Sequence, residues 1–197
     1  MPKIISDEEI YQAVMQVVSK RGYAGATTKQ MAEAANVSEV TLFRKYNSKL
    51  QLIKQAVAAL VAQTDFEAAT QYTGDAYADL LRVVRAYQDS AVKHGQLIFI
   101  VLSELPRYPE LVDLLDIPFE IYTGIGNLLA KYQSEGKLRQ EHPLHAVAAL
   151  LGPLMYSAML SSALPGNSAP PLDLQNHVAA FLEGRSSEKQ DDCVRIC

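Results

Sequence analysis

The chain has 197 residues, 49% hydrophobic and 20% charged, which suits one or two small globular domains able to bury a core without staples. Its two cysteines, Cys193 and Cys197, both fall within the last five residues, which excludes a disulfide framework and a cysteine-built zinc site. The formal net charge of −4 argues against an acidic partner only until it is divided: residues 1–54 carry eight Lys/Arg against five Asp/Glu (+3), and residues 55–197 carry ten against seventeen (−7).

Apolar residues recur at spacings of three and four along the whole chain, which predicts an all-α fold of about nine helices. Ser6-Asp7-Glu8-Glu9 is a capping box that opens the first helix, and Arg21-Gly22 ends it. Thr28 opens a short second helix reaching Ala35, Asn36-Val37-Ser38 makes a turn, and Ser38 caps a third helix through Tyr46. A fourth runs from Lys49 to about Tyr72 and is broken by Thr73-Gly74-Asp75. Asp75–His94 stops at Gly95, Gln96–Leu105 stops at Pro106, and Pro109–Gly136 is kinked or divided by Pro118. Pro143–Ala163 is a helix free of charge, Pro165–Pro171 a loop, Leu172–Leu182 the last helix, and Arg185–Cys197 a polar tail.

Thr28–Tyr46 carries the most specific pattern. Two short helices joined by a tight turn need small residues where they cross, supplied by Ala32 and Ala35. They also need a residue that accepts a left-handed backbone in the turn, and Asn36 is second only to glycine there. Val37 and Leu42 fill the gap between the helices, leaving Ser38, Glu39, Val40, Thr41, Arg44 and Lys45 facing outward. That is helix-turn-helix geometry, in which the second helix enters the DNA major groove. The same segment also reads as a helical hairpin in a core, with Arg44 and Lys45 as solvated charges.

The run Gly22-Tyr23, Thr27-Thr28, Met31-Ala32, Ala35-Asn36-Val37-Ser38, Thr41-Leu42-Phe43, Tyr46 and Ser48-Lys49 resembles the N-terminal domain of TetR-family transcriptional regulators. The resemblance implies a DNA-binding domain over residues 1–50, a ligand-binding and dimerisation domain over 51–184, and a disordered tail over 185–197. It implies a homodimer on a palindromic double-stranded operator, and a repressor released by a small-molecule effector. It further implies phosphate contacts at Thr28 and Lys49, with Lys29, Phe43, Lys45 and Tyr46 in the same interface. Ser38, Glu39, Val40, Thr41 and Arg44 fall on or beside the base-reading face. Glutamate can accept from cytosine, Val and Thr can touch a thymine methyl, and Arg prefers guanine. Phe43 stands where the family usually has Tyr, and Tyr46 where it usually has Phe.

In the remainder, the family's ligand cavity corresponds to a region that offers Phe66, Tyr87, Phe99, Glu104, Tyr108, Phe119 and Tyr122 as candidate lining. Glu104 also reads as a helix-end carboxylate facing water, and the aromatics as ordinary core. The uncharged helix, with Leu151, Leu154, Met155, Ala158 and Met159, needs cover on more than one side. With Val178, Phe181 and Leu182 it corresponds to the family's four-helix dimer interface. As a membrane span it is interrupted by His145, Gly152, Pro153 and Tyr156, so a soluble, cytoplasmic bacterial protein is expected. His94, His142, His145 and His177 make no metal set, and no cofactor or enzymatic constellation is expected. Two rivals stay open: a helical dimerising adaptor that does not read DNA, and an all-α enzyme.

Overall fold

The structure, a computed structural model, describes residues 5–163 and 172–186. The expected loop at Pro165–Pro171 and the cysteine-bearing tail from residue 187 onward lie outside the described residues. All regular elements among those described are helical. They are α1 (Asp7–Gly25), α2 (Thr28–Ala34), α3 (Glu39–Tyr46), α4 (Lys49–Ala62), α5 (Phe66–Ala69), α6 (Ala76–Glu104), a 3-10 turn (Pro109–Leu114), α7 (Asp116–Ser134), α8 (Pro143–Ala163) and α9 (Leu174–Glu183).

Local chemistry explains the boundaries near the N-terminus. Ser6 and Glu9 form the expected reciprocal cap of α1, and Thr27 with Gln30 forms a second at α2. Ser38 accepts the Thr41 N–H at 3.1 Å, and Ser48 accepts that of Gln51 at 3.1 Å, opening α3 and α4. Asn36 adopts φ +53°, as its turn position requires.

Three boundaries differ from expectation. The fourth helix ends at Ala62 rather than near Tyr72, because Asp65 accepts the Ala68 N–H at 2.9 Å and starts the separate turn α5. Gly95 does not stop a helix: α6 runs unbroken for 29 residues. One internal glycine costs a helix only about 1 kcal/mol relative to alanine. Buried Leu80, Val83 and Val84 before it and Val101 after it hold the helix on both sides. Pro118 does not divide its segment either. The division falls at Leu115, and Pro118 is the third residue of α7, where a helix needs no N–H donor.

The chain forms two compact units, Met1–Thr64 with Gln96–Ile117 and Asp65–Gly95 with Pro118–Cys197. In the first, Val14 of α1, Met31 of α2, Leu42 of α3 and Ile53 of α4 share one core with Val101, Leu111 and Leu114. Fully burying such a side chain contributes about 1.5–3 kcal/mol.

The second unit buries Leu80, Val83, Ile125, Leu129, Leu150 and Val178. Asp79 is fully buried there and fully satisfied. It accepts from the Thr73 hydroxyl at 2.6 Å and amide at 2.8 Å, from Tyr132 Oη at 2.5 Å, and from Arg82 at 3.0 Å. Burial works against the charge, but the Thr73 and Tyr132 hydrogen bonds and the Arg82 guanidinium hold the carboxyl below the usual carboxylate range. His177 Nε2 lies 2.7 Å from the Leu150 carbonyl and ties α9 to α8. One helix, Pro143–Ser161, is long and apolar enough to cross a membrane, and only 28% of it is buried within this chain.

Candidate nucleic-acid interface

α3 has two faces with different fates. Leu42 and Tyr46, four residues apart, are both 2% exposed and anchor the helix in the core. The opposite side carries Val40 at 76% exposure and Phe43 at 63%, beside exposed Ser38, Glu39, Thr41, Arg44 and Lys45. Single exposed apolar side chains are ordinary on a protein surface, but these two adjoin on one face of a short helix. The helix crossing at its N-terminal end is closed by buried Ala32 and Ala35, as expected from their size.

Several residues expected at the interface are already engaged within the chain. The Thr28 hydroxyl donates to the Glu39 carboxylate, joining the start of α2 to the start of α3. Ser38 Oγ and Thr41 Oγ1 lie 2.7 Å apart and share a hydrogen bond within the α3 cap. Lys45 pairs with Asp7 of α1. This hydrogen bond, followed by one from Tyr46, holds the Asp7 carboxyl below its ordinary value.

Tyr46, expected in the interface, is instead a core residue. Its hydroxyl donates to Asp7 at 3.0 Å, and burial with that hydrogen bond pushes the phenol well above its usual range. Lys49 also departs from expectation. It is half-buried, donates its ammonium to the Tyr23 carbonyl, and lies 4.2 Å from the Tyr23 ring centroid. Burial draws its pKa down, partly offset by the charges of Glu104 and Glu110. Lys29 and Arg44 are exposed cations with no ion pair among the described residues.

The turn that leads into α2 is built around Gly22 and a residue 82 positions away. Gly22 has φ 70° and ψ 176°, a conformation essentially reserved for glycine, and it kinks α1. The next two amides, Tyr23 N–H and Ala24 N–H, donate to Glu104 Oε1 and Oε2 at 3.0 Å each. Tyr108 meets the Tyr23 ring edge-on at 5.4 Å. Glu104 and Tyr108, candidates for the lining of a ligand cavity, both brace the first unit. Phe99, also of the first unit, is exposed.

Phe66, Tyr87, Phe119 and Tyr122 belong to the second unit. Tyr87 is buried, with its hydroxyl 3.3 Å from that of half-buried Tyr122, while Phe66 is buried and Phe119 exposed. Burial, then the neighbouring Tyr122, pushes the Tyr87 phenol well up. Of the candidate dimer residues, Leu151, Leu154, Val178 and Phe181 are covered by their own chain and offer no surface. Met155, Ala158, Met159 and Leu182 are half-buried. Tyr156, which is not among these candidates, is 62% exposed on the same helix. No group of three His, Cys, Asp or Glu able to hold a metal occurs among the described residues.

An all-α chain with this paired-helix head is a helix-turn-helix protein. Residues 10–56 match the family model described as bacterial regulatory proteins, tetR family. The HTH-type transcriptional regulator YvkB of Bacillus subtilis is 32% identical over 111 residues, covering 55% of this chain and 57% of YvkB. The Mycobacterium tuberculosis HTH-type transcriptional regulator Rv1556 is 28% identical over 113 residues, covering 57% and 54%. Among solved structures, the fatty acid degradation regulator FadR from Bacillus halodurans superposes with a TM-score of 0.69 at 16% identity, covering 93% of this chain and 95% of FadR. PfmR, a TetR-family regulator from Thermus thermophilus, gives 0.63 at 17% identity, covering 88% and 94%. Residues 10–56 are thus a TetR-type helix-turn-helix segment, and the chain is similar to HTH-type transcriptional regulators over a little more than half of its length. It spans a little over half the length of the curated relatives it matches.

Proposed function

We propose that this protein is a cytoplasmic repressor that binds a palindromic DNA operator as a homodimer and is released by a small-molecule effector bound in its second unit. The observation that carries the DNA-binding part is the exposed face of α3, where Val40, Phe43 and Arg44 point away from a core that grips the helix through Leu42 and Tyr46. A helix held on one side and bare on the other suits insertion into a major groove. Exposed Lys29 and Arg44 and the +3 charge of residues 1–54 suit a polyanion.

Dimerisation rests on α8. Its Tyr156 is exposed and its Met155 and Met159 half-buried, along a helix otherwise apolar and uncharged. A second copy applied to this face gives an isologous contact and explains why so little of the helix is buried in one chain. The Tyr87–Tyr122 pair supplies the effector proposal: two phenols within hydrogen-bond reach in an apolar setting can orient one polar group of a largely apolar molecule. Effector binding then acts by population shift, favouring a dimer whose recognition helices no longer match half-sites about 34–36 Å apart.

The test is a mobility-shift assay at low salt with the DNA upstream of the protein's own gene. A specific complex that weakens steeply with salt is expected. A helical adaptor that does not read DNA would instead show no specific shift and no salt-dependent retention on DNA resin, and that result overturns the reading. Native mass spectrometry of the purified protein tests the effector.

A further inference from the structure

The outward side chains of α3 divide into those already committed within the chain and those that are not. Glu39 accepts from Thr28, Thr41 shares its hydroxyl with Ser38, and Lys45 is paired with Asp7. Three residues remain: Val40, Phe43 and Arg44, the first two being 76% and 63% exposed and lacking any polar atom in the side chain. Val40 and Phe43 stand three residues apart and therefore share one face of the helix, with Arg44 alongside.

Resting on the DNA-binding reading above, we propose that Val40 and Phe43 form a methyl-reading step that selects thymines beside a guanine held by Arg44. In the major groove the C5-methyl of thymine is the apolar group among the base edges, and guanine presents the paired acceptors that suit a guanidinium. An apolar pair beside one uncommitted cation matches that arrangement. The cation also supplies the charge complementarity that keeps the apolar step against DNA. Phe43 lacks the hydroxyl with which a tyrosine could hold a phosphate, so its ring contributes apolar area and no phosphate hydrogen bond.

The experiment begins with duplexes selected from a random pool by the full-length protein. In the best duplex each thymine is replaced singly by uracil, which removes only the C5-methyl. At one or two positions per half-site the replacement should weaken binding about three- to tenfold, the effect of removing one buried methyl-sized group. With Phe43→Ala or Val40→Ala, binding to the thymine duplex should fall and the difference between thymine and uracil should shrink toward one at the matching position. Specific binding that no uracil replacement alters overturns the methyl-reading step while leaving DNA binding intact. A thymine-to-uracil loss unchanged in both variants assigns the methyl to other residues and overturns it equally. Selection of no duplex above background overturns the DNA-binding reading, and this inference with it.

Discussion

The carboxylate of Glu104 occupies the space that any side chain at Gly22 would need, and it takes the two amides that follow the glycine. Its oxygens accept from Tyr23 N–H and Ala24 N–H, and a Cβ on Gly22 would collide with Oε1. Gly22→Ala faces both the strained backbone and this clash, and is expected to cost about 1–3 kcal/mol. Glu104→Ala leaves the partly buried Tyr23 amide without its acceptor, while the exposed Ala24 amide turns to water, and should cost about 1 kcal/mol. The two changes share one cause, so chemical denaturation of the double variant should show a loss clearly smaller than the sum.

Asp79 governs the acid limb of stability in the second unit. Its carboxyl is held below the ordinary value near 3.8, so the stability it contributes is fully present above that pH. It is lost as pH falls through the depressed folded value. Asp79→Ala leaves the Tyr132 hydroxyl and the Thr73 amide and hydroxyl without their acceptor, while Arg82 keeps the Ala69 and Gln71 carbonyls, and should cost about 1–3 kcal/mol near neutrality. Asp79→Asn, compared with wild type in urea titrations between pH 2 and 6, should remove part of the acid-induced slope; an unchanged slope would refute the assignment.

Arg44 and Lys29 should separate reading from holding. Arg44→Ala is expected to lose about 1–3 kcal/mol of discrimination at one base position. Lys29→Ala should weaken all duplexes alike and reduce the slope of log K against log salt by about 0.9. Lys49→Ala belongs to neither class. Its ammonium is spent on the Tyr23 carbonyl and ring, so thermal stability should fall together with affinity.

Light scattering at micromolar protein should give a mass of twice 21.7 kDa. Tyr156→Asp, which places a charge on the bare side of α8, should return it to the mass of one chain with helicity by circular dichroism unchanged.

Short-range features were legible in the sequence because they are written within one turn of helix. The Ser6–Glu9 box, the Ser38 cap and the positive φ of Asn36 each depend on residues no more than three apart, or on one residue's own sterics. The features that escaped are pairs distant in the chain. Nothing local tells Glu104 from a helix-end carboxylate or a ligand's counter-ion; only its position across from Gly22 assigns it. Lys45 and Lys49 read as free phosphate-seeking cations until Asp7 and the Tyr23 carbonyl are seen to hold them. Tyr46 is among the residues expected at DNA, and its place four residues after Leu42, on the apolar side of α3, was the signal to bury it. The helix boundaries missed at Ala62 and Gly95 turn on Asp65 as a cap and on packing at both ends of α6.

Because Gln96–Ile117 completes the first unit, the chain passes between the two units three times rather than once. The reading head is therefore not a detachable cassette. A fragment cut after Thr64 would lack Val101, Leu111 and Leu114 from its core and Glu104 from its turn, and so would expose an oily gap and two orphan amides. Grafting this head onto another body by a single splice should give an insoluble chimera, whereas exchanging only the exposed residues of α3 should change the DNA sequence recognised and leave the scaffold standing.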